Sequence, residues 1–173
     1  ITNAWGSGSP GAGCLSGLLV LAGMAAMVVV AVPSLVAAVL VPVGGGGLVA
    51  GVAAAIKQSR PDVKVIGVEP AGAAKMKASV DAGHPVTLPK TETIADGLMP
   101  VRPGDLTFAL VQRFVDRVIT VEDKDIIAAV LWIFANARLV AEPSGAATTA
   151  AVLSGALDAA LRIDGPIVAI VSG

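Results

Sequence analysis

The sequence contains no tyrosine, one cysteine, one histidine, three phenylalanines and two tryptophans in 173 residues. A single cysteine, Cys14, cannot close an internal disulfide, so a secreted disulfide scaffold is excluded. His84 and Cys14 alone are too few for a zinc site of the usual Cys/His kind. Charge is scarce at 14%, too little for the charged flanks of a coiled coil. The net charge of −1 leaves no basic footprint for nucleic acid. What is present is hydrophobic: 55% of the chain, which excludes a disordered segment. The length suits one ordinary domain or two small ones, and can bury a core without metal or disulfide staples.

The few charges are unevenly placed. The first is Lys57, and all 25 charged residues follow from there. That later part has about a fifth of its residues charged, ordinary for a soluble domain. Leu15 to Ile56 is apolar enough to raise a transmembrane segment as one reading, since roughly 20 apolar residues span a bilayer. It is too long for a signal peptide and lacks a basic start. It is also a poor membrane helix, because Pro33, Pro42 and Gly44 to Gly47 interrupt it and no Lys or Arg flanks it. Clusters of β-branched residues between Gly and Pro read instead as buried parallel strands.

A pass along the chain supports an α/β fold. Strands are expected at Ile1–Ala4, Met27–Val32, Val39–Val43, Lys64–Val68, Arg117–Thr120 and Pro166–Val171. Helices are expected at Cys14–Leu21, Leu48–Gln58, Ala73–Ala82 (closed by Gly83), Glu122–Val140 and Ser144–Leu161, with a Gly/Ser loop at Gly6–Gly13. Such alternation predicts a mostly parallel, twisted sheet covered by helices on both faces.

The most informative stretch is Val43-Gly-Gly-Gly-Gly-Leu-Val-Ala-Gly51, a strand that enters four glycines and then a helix. Glycine allows a sharp turn and close approach to a ligand. The start of the helix offers unpaired N–H groups and a positive partial charge, together a phosphate cradle. No Lys-Ser/Thr follows, so this is not a Walker loop. Gly44, Gly46 and Gly51 also miss the dinucleotide spacing. The bland reading, a flexible linker, fits poorly between a Val-rich strand and an Ala-rich helix.

Five motifs then occur in order: Val41-Pro-Val-Gly-Gly-Gly-Gly-Leu48, Val65-Ile-Gly-Val-Glu-Pro70, Thr93-Ile-Ala-Asp-Gly97, Val140-Ala-Glu-Pro-Ser-Gly-Ala146 and Val171-Ser-Gly173. With them the stretch from Leu35 resembles the pyridoxal-phosphate enzymes of the tryptophan synthase β fold type. Within these it is most similar to threonine and serine dehydratases and serine racemase. The resemblance implies an incomplete version of that fold, with residues 1–34 a remnant of the small domain and 35–173 the large cofactor-binding domain. It implies that Gly44, Gly45, Gly46, Gly47 and Leu48 hold the phosphate of pyridoxal 5'-phosphate. Ser172 would hydrogen-bond its pyridine nitrogen, and Glu142 would lie near its ring. A neutral hydroxyl there makes the ring a weaker electron sink, which suits β-elimination.

Ser7-Gly-Ser-Pro-Gly-Ala-Gly13 is similar to the family's Ser-Gly-Asn-His-Gly-Gln-Gly loop. The resemblance implies a catalytic and substrate-binding Ser7, carboxylate binding with Gly8, and Ser9 at the cofactor's phenolic oxygen. Ser9 stands where the family has Asn, and Pro10 where it has His and an N–H. The family's cofactor-binding Lys lies in a Ser-Phe-Lys-x-Arg-Gly segment upstream of this loop, which the sequence as given does not contain. The resemblance therefore implies a partial chain, inactive if made alone.

Other residues have blander readings. Lys57 reads as a solvated helix-end residue, and Lys75 and Lys77 as an exposed face. Glu69 is the one candidate metal ligand, by similarity to a cation-ligand position in serine racemase, but its companion position is Lys75, and no metal is expected. Ser144 reads as a helix cap, Asp96-Gly97 as a turn, His84 as exposed, and Trp132 and Phe134 as core or subunit contacts.

The implied function of the parent protein is a threonine/serine dehydratase, an ammonia-lyase that gives a 2-oxo acid and ammonia as in isoleucine biosynthesis. It would be a cytoplasmic homo-oligomer acting on a small hydroxy amino acid, without nucleic acid or membrane. The alternatives are serine racemase or a 3-hydroxyaspartate lyase, a non-catalytic fragment, and a membrane-embedded segment.

Overall fold

The computed structural model describes the backbone of residues 19–22 and the whole of residues 36–173. Among the described residues five strands form one parallel sheet: β1 (Leu19–Ala22), β2 (Ala38–Pro42), β3 (Lys64–Pro70), β4 (Arg117–Val121) and β5 (Ile167–Val171). Their spatial order is β1-β5-β2-β3-β4, which places β2 and β5 side by side in the interior of the sheet. Among the described residues six α-helices connect or cover them: α1 (Gly47–Ser59), α2 (Lys75–Ala82), α3 (Asp105–Phe114), α4 (Asp123–Ala137), α5 (Pro143–Leu153) and α6 (Ala156–Ala160).

The apolar, charge-free sequence around residue 40 follows from burial on both faces of the sheet. Successive strand residues point to opposite sides. Val39 and Val41 face a core shared with Val49, Val52 and Ile56 of α1 and Phe108 and Val111 of α3. Ala38 and Leu40 face a second core with Ile126 and Ile133 of α4 and Ala146, Ala147 and Ala150 of α5. The alanines of α5 let that helix lie close on the sheet. There the hydroxyl of Thr148 donates to the carbonyl of Ile170 at 2.7 Å. Among the described residues no helix is long and apolar enough to cross a membrane.

Several expectations are corrected. Residues 19–21 form part of β1, not the end of a helix; a short aliphatic run carries no period that separates the two. Helix α3 has no counterpart among the expected elements, because exposed Leu106 obscures the stripe made by buried Phe108 and Val111. The helix expected over 144–161 is two helices, broken at Gly155 with φ 77°. Helix α4 ends at Ala137, where Arg138 turns left-handed with φ 59°. The helix before Gly83 starts at Lys75, after a 3-10 turn over Ala71–Ala73. The strand expected at Met27–Val32, the elements expected at Ile1–Ala4 and Gly6–Gly13, and Cys14 lie outside the described residues.

Candidate functional site

The carboxyl ends of parallel strands are where ligands bind in open α/β sheets. Two of the sequence motifs leave from that edge on neighbouring strands. The glycine loop follows β2, and Ser172 follows β5, which pairs with β2 from Ala38↔Ile167 to Leu40↔Ala169.

The four glycines divide into two pairs. Gly46 is buried and left-handed, with φ 96°. A Cβ there would lie 2.6 Å from Cε of Met76 and 2.9 Å from Oγ1 of Thr107. A Cβ on Gly44 would lie 2.9 Å from the carbonyl oxygen of Gly97. These two glycines let the backbone turn against protein. Gly45 and Gly47 are exposed, and a Cβ on either would have no atom within 4 Å. They border open space beside the start of α1, whose bond from Ala50 N–H to the Gly46 carbonyl leaves the preceding first-turn N–H groups without helical partners. Leu48, in that turn, is also exposed. Thr107 braces the loop from α3 by donating to the Gly45 carbonyl at 2.7 Å, and Gly104 N–H reaches the same oxygen at 3.2 Å. Sequence reasoning misses Thr107, since nothing local ties it to a loop 62 residues away.

Around the end of β5, the N–H of Glu142 donates to the Gly173 carbonyl at 3.2 Å, and a Cβ on Gly173 would lie 2.6 Å from Glu142 Oε1. Ser172 and Glu142 are both exposed there. Ser144 is buried and does not cap α5. Its Oγ accepts from the N–H of Gly97 at 2.9 Å, while Glu142 is the N-cap without a side-chain bond and Pro143 opens the helix. The Asp96-Gly97 turn is thereby joined to the Glu142–Gly173 cluster.

Lys75 overturns its expected exposure. It is fully buried, and so is Glu69; Lys75 Nζ lies 2.9 Å from Glu69 Oε1. The same ammonium lies 2.8 Å from the carbonyl oxygen of Val43, 3.0 Å from that of Leu98 and 3.2 Å from that of Ala73. Glu69 also accepts from the N–H groups of Met76 at 2.9 Å and Lys77 at 2.8 Å. Burial pushes the Glu69 carboxyl up and the Lys75 ammonium down, and their mutual attraction opposes both shifts. The Glu69 carboxylate is thus already engaged by an ammonium and two N–H groups. Lys77, by contrast, is in an exposed ion pair with Asp81.

Lys57 is a helix-end residue as expected, but only partly exposed. Its ammonium lies 2.7 Å from Asp116 Oδ2 and donates to the Val63 carbonyl at 2.8 Å. It sits at the far end of α1, about 15 Å along the axis from the loop at about 1.5 Å per residue. His84 is exposed, Trp132 packs partly buried against the second core, and Phe134 is exposed. Ser7, Gly8 and Ser9 lie outside the described residues.

The open space at Gly45 and Gly47, the unpartnered first turn of α1 and the neutral hydroxyl of Ser172 after the adjacent strand fit a phosphorylated aromatic cofactor. Comparisons with known proteins show a family that uses such a cofactor. The sequence model of the family described as "Pyridoxal-phosphate dependent enzyme" matches residues 7–173. The chain is 54% identical to the L-threonine dehydratase biosynthetic IlvA of Escherichia coli strain K12 over 108 residues, which is 62% of this chain and 21% of that one. It is 46% identical to an L-threonine ammonia-lyase of Thermotoga maritima over 116 residues, 67% of this chain and 29% of that one. Among solved structures, maize serine racemase superposes with a TM-score of 0.79 at 40% identity, over 84% of this chain and 45% of that one. The processed form of threonine deaminase isoform 2 from Solanum lycopersicum gives 0.75 at 41% identity, over 81% of this chain and 40% of that one. The chain thus spans under a third of those two curated relatives and under half of those solved chains. It belongs to the family of pyridoxal-phosphate dependent enzymes.

Proposed function

We propose that the protein containing this chain is a threonine/serine dehydratase that converts a small hydroxy amino acid to a 2-oxo acid and ammonia. The observation that carries the reading is the pairing of an open glycine loop after β2 with Ser172 after the neighbouring strand β5. Pyridoxal phosphate, when bound, supplies the electron sink that lets an amino acid lose its α-proton. The N–H groups of Gly45, Gly47 and Leu48 bind its phosphate, with Gly44 and Gly46 shaping the turn. The Ser172 hydroxyl hydrogen-bonds the ring nitrogen without protonating it, which favours elimination over transamination. Glu142 borders the ring. Ser7 and Gly8 bind the substrate carboxylate, and Ser9 the phenolic oxygen, by similarity of their loop. We assign residues 35–173 to a large cofactor-binding domain and 1–34 to a small-domain remnant. From that first segment β1 pairs with β5.

Likeness to maize serine racemase supports racemisation as a second reading. We also propose a cytoplasmic homo-oligomer. Ile127, Leu131 and Phe134, spaced along one side of α4 and 50%, 64% and 59% exposed, support assembly.

The test is ammonia release from L-threonine and L-serine by the full-length protein and its Ser172→Ala variant, with D-serine formation followed in parallel. Turnover by the wild type should fall at least about tenfold in the variant, with a melting temperature within a few degrees. Equal turnover removes Ser172 from the site. D-serine without ammonia moves the activity to racemisation.

A further inference from the structure

A buried ammonium is costly, and a hydrophobic side chain of similar volume often stabilises a core more. Lys75 therefore calls for a reason beyond packing. Its three N–H donors face four oxygens, from Val43, Leu98, Ala73 and Glu69, all within 3.2 Å. These belong to separate stretches of chain. Val43 is the residue before the glycine loop. Leu98 follows Gly97, the residue whose carbonyl oxygen a Cβ on Gly44 would meet at 2.9 Å. Two backbone turns thus meet with carbonyl dipoles directed to one point, and the ammonium neutralises it. Ala73 and Glu69 hold the cation from the β3–α2 side. The next residue, Met76, lies beneath Gly46, so the start of α2 supports the loop twice.

We propose that Lys75 is a positioning residue for anion binding: a built-in cation that sets the spacing between the glycine loop and the 96–98 turn, and through it the loop's affinity for a phosphate group. The proposal rests on the reading of Gly45–Leu48 as the phosphate cradle.

The experiment measures equilibrium binding of pyridoxal phosphate, and of pyridoxal as the phosphate-free control, to the full-length protein by fluorescence. Lys75→Met should weaken binding of pyridoxal phosphate by roughly 10- to 100-fold, with a much smaller change for pyridoxal. Lys75→Ala should show the same loss and recover part of it in ammonium chloride but not in tetramethylammonium chloride, while the wild type responds to neither. A purely structural role would lower the melting temperature and leave the affinity of the folded variants, and their ammonium response, unchanged. That result overturns the proposal. If the single variants do not fold, Glu69→Gln/Lys75→Met, which leaves no buried charge, carries the same expectation. Failure of that double variant to fold assigns the pair to global stability and overturns the positioning role. Gly47→Val separates the two readings. If it binds pyridoxal phosphate as the wild type does, the cradle is wrong; if it binds weakly while Lys75→Met binds normally, only the positioning role is.

Discussion

The N–H of Gly97 donates to Oγ of Ser144 at 2.9 Å across 47 residues of sequence. This bond joins the turn packed beside Gly44 to the first turn of α5. A Cβ on Gly97 would itself lie 2.9 Å from that oxygen, so the two segments are in close contact there. Ser144→Ala removes a buried acceptor worth about 1 kcal/mol net. The melting temperature of the full-length protein should fall by roughly 3 °C. An unchanged or higher melting temperature would show that the bond contributes nothing.

Gly46 and Gly47 should respond in opposite ways to alanine. At φ 96° a side chain is strained by about 1–2 kcal/mol, and Met76 must also move. Gly46→Ala should therefore lower stability. Gly47 opens α1 into free space, where alanine is the better helix former by up to about 1 kcal/mol. Gly47→Ala should keep or raise the melting temperature while weakening cofactor binding. Thermal melts with and without pyridoxal phosphate separate the two effects. A ligand-induced shift as large in Gly47→Ala as in the wild type contradicts the assignment.

Gly145 sets helix propensity against contact. Within a helix Gly→Ala gains about 1 kcal/mol. A Cβ there would lie 2.5 Å from the carbonyl oxygen and 2.8 Å from the nitrogen of Gly173. Both are backbone atoms, and overpacking of this kind costs about 1–3 kcal/mol. Contact should win: Gly145→Ala should destabilise the protein and displace Ser172 and Gly173. A variant more stable than wild type in urea would show that the segment after β5 yields freely.

Asp116 gives an acid dependence. Burial raises its carboxyl, but the Lys57 ammonium, the Val65 N–H and the Lys64 ammonium together hold it below its ordinary value. A carboxyl depressed in the folded state stabilises above its unfolded value of about 3.9, and that contribution is lost as pH falls through the folded value. Asp116→Asn should therefore be less stable than wild type at pH 7, by about 1 kcal/mol. The gap should narrow below about pH 4. Urea titrations at both pH values measure it, and a gap that widens in acid would reverse the sign of the coupling.

Much of this is readable from residue order. Valine runs bounded by glycine and proline mark β2 and β5, because strands buried on both faces are mostly apolar. Four glycines between a strand and an alanine-rich helix mark a tight turn into a helix start, because few other residues adopt the left-handed backbone of Gly46. Those signals are local. Lys75 reads as exposed because two lysines around a methionine are ordinary on a surface. Its burial depends on carbonyls at Val43 and Leu98, brought together only when β2, β3 and the 96–98 turn converge. Ser144 reads as a cap because serine at a helix start is usually one. Its true partner, Gly97, comes from a segment with no pattern linking the two. Local preference and hydrophobic period thus determined the strands from β2 to β5 and the glycine turn between β2 and α1. Which polar groups meet inside was decided by packing, since a buried charge takes whatever oxygens the fold assembles around it.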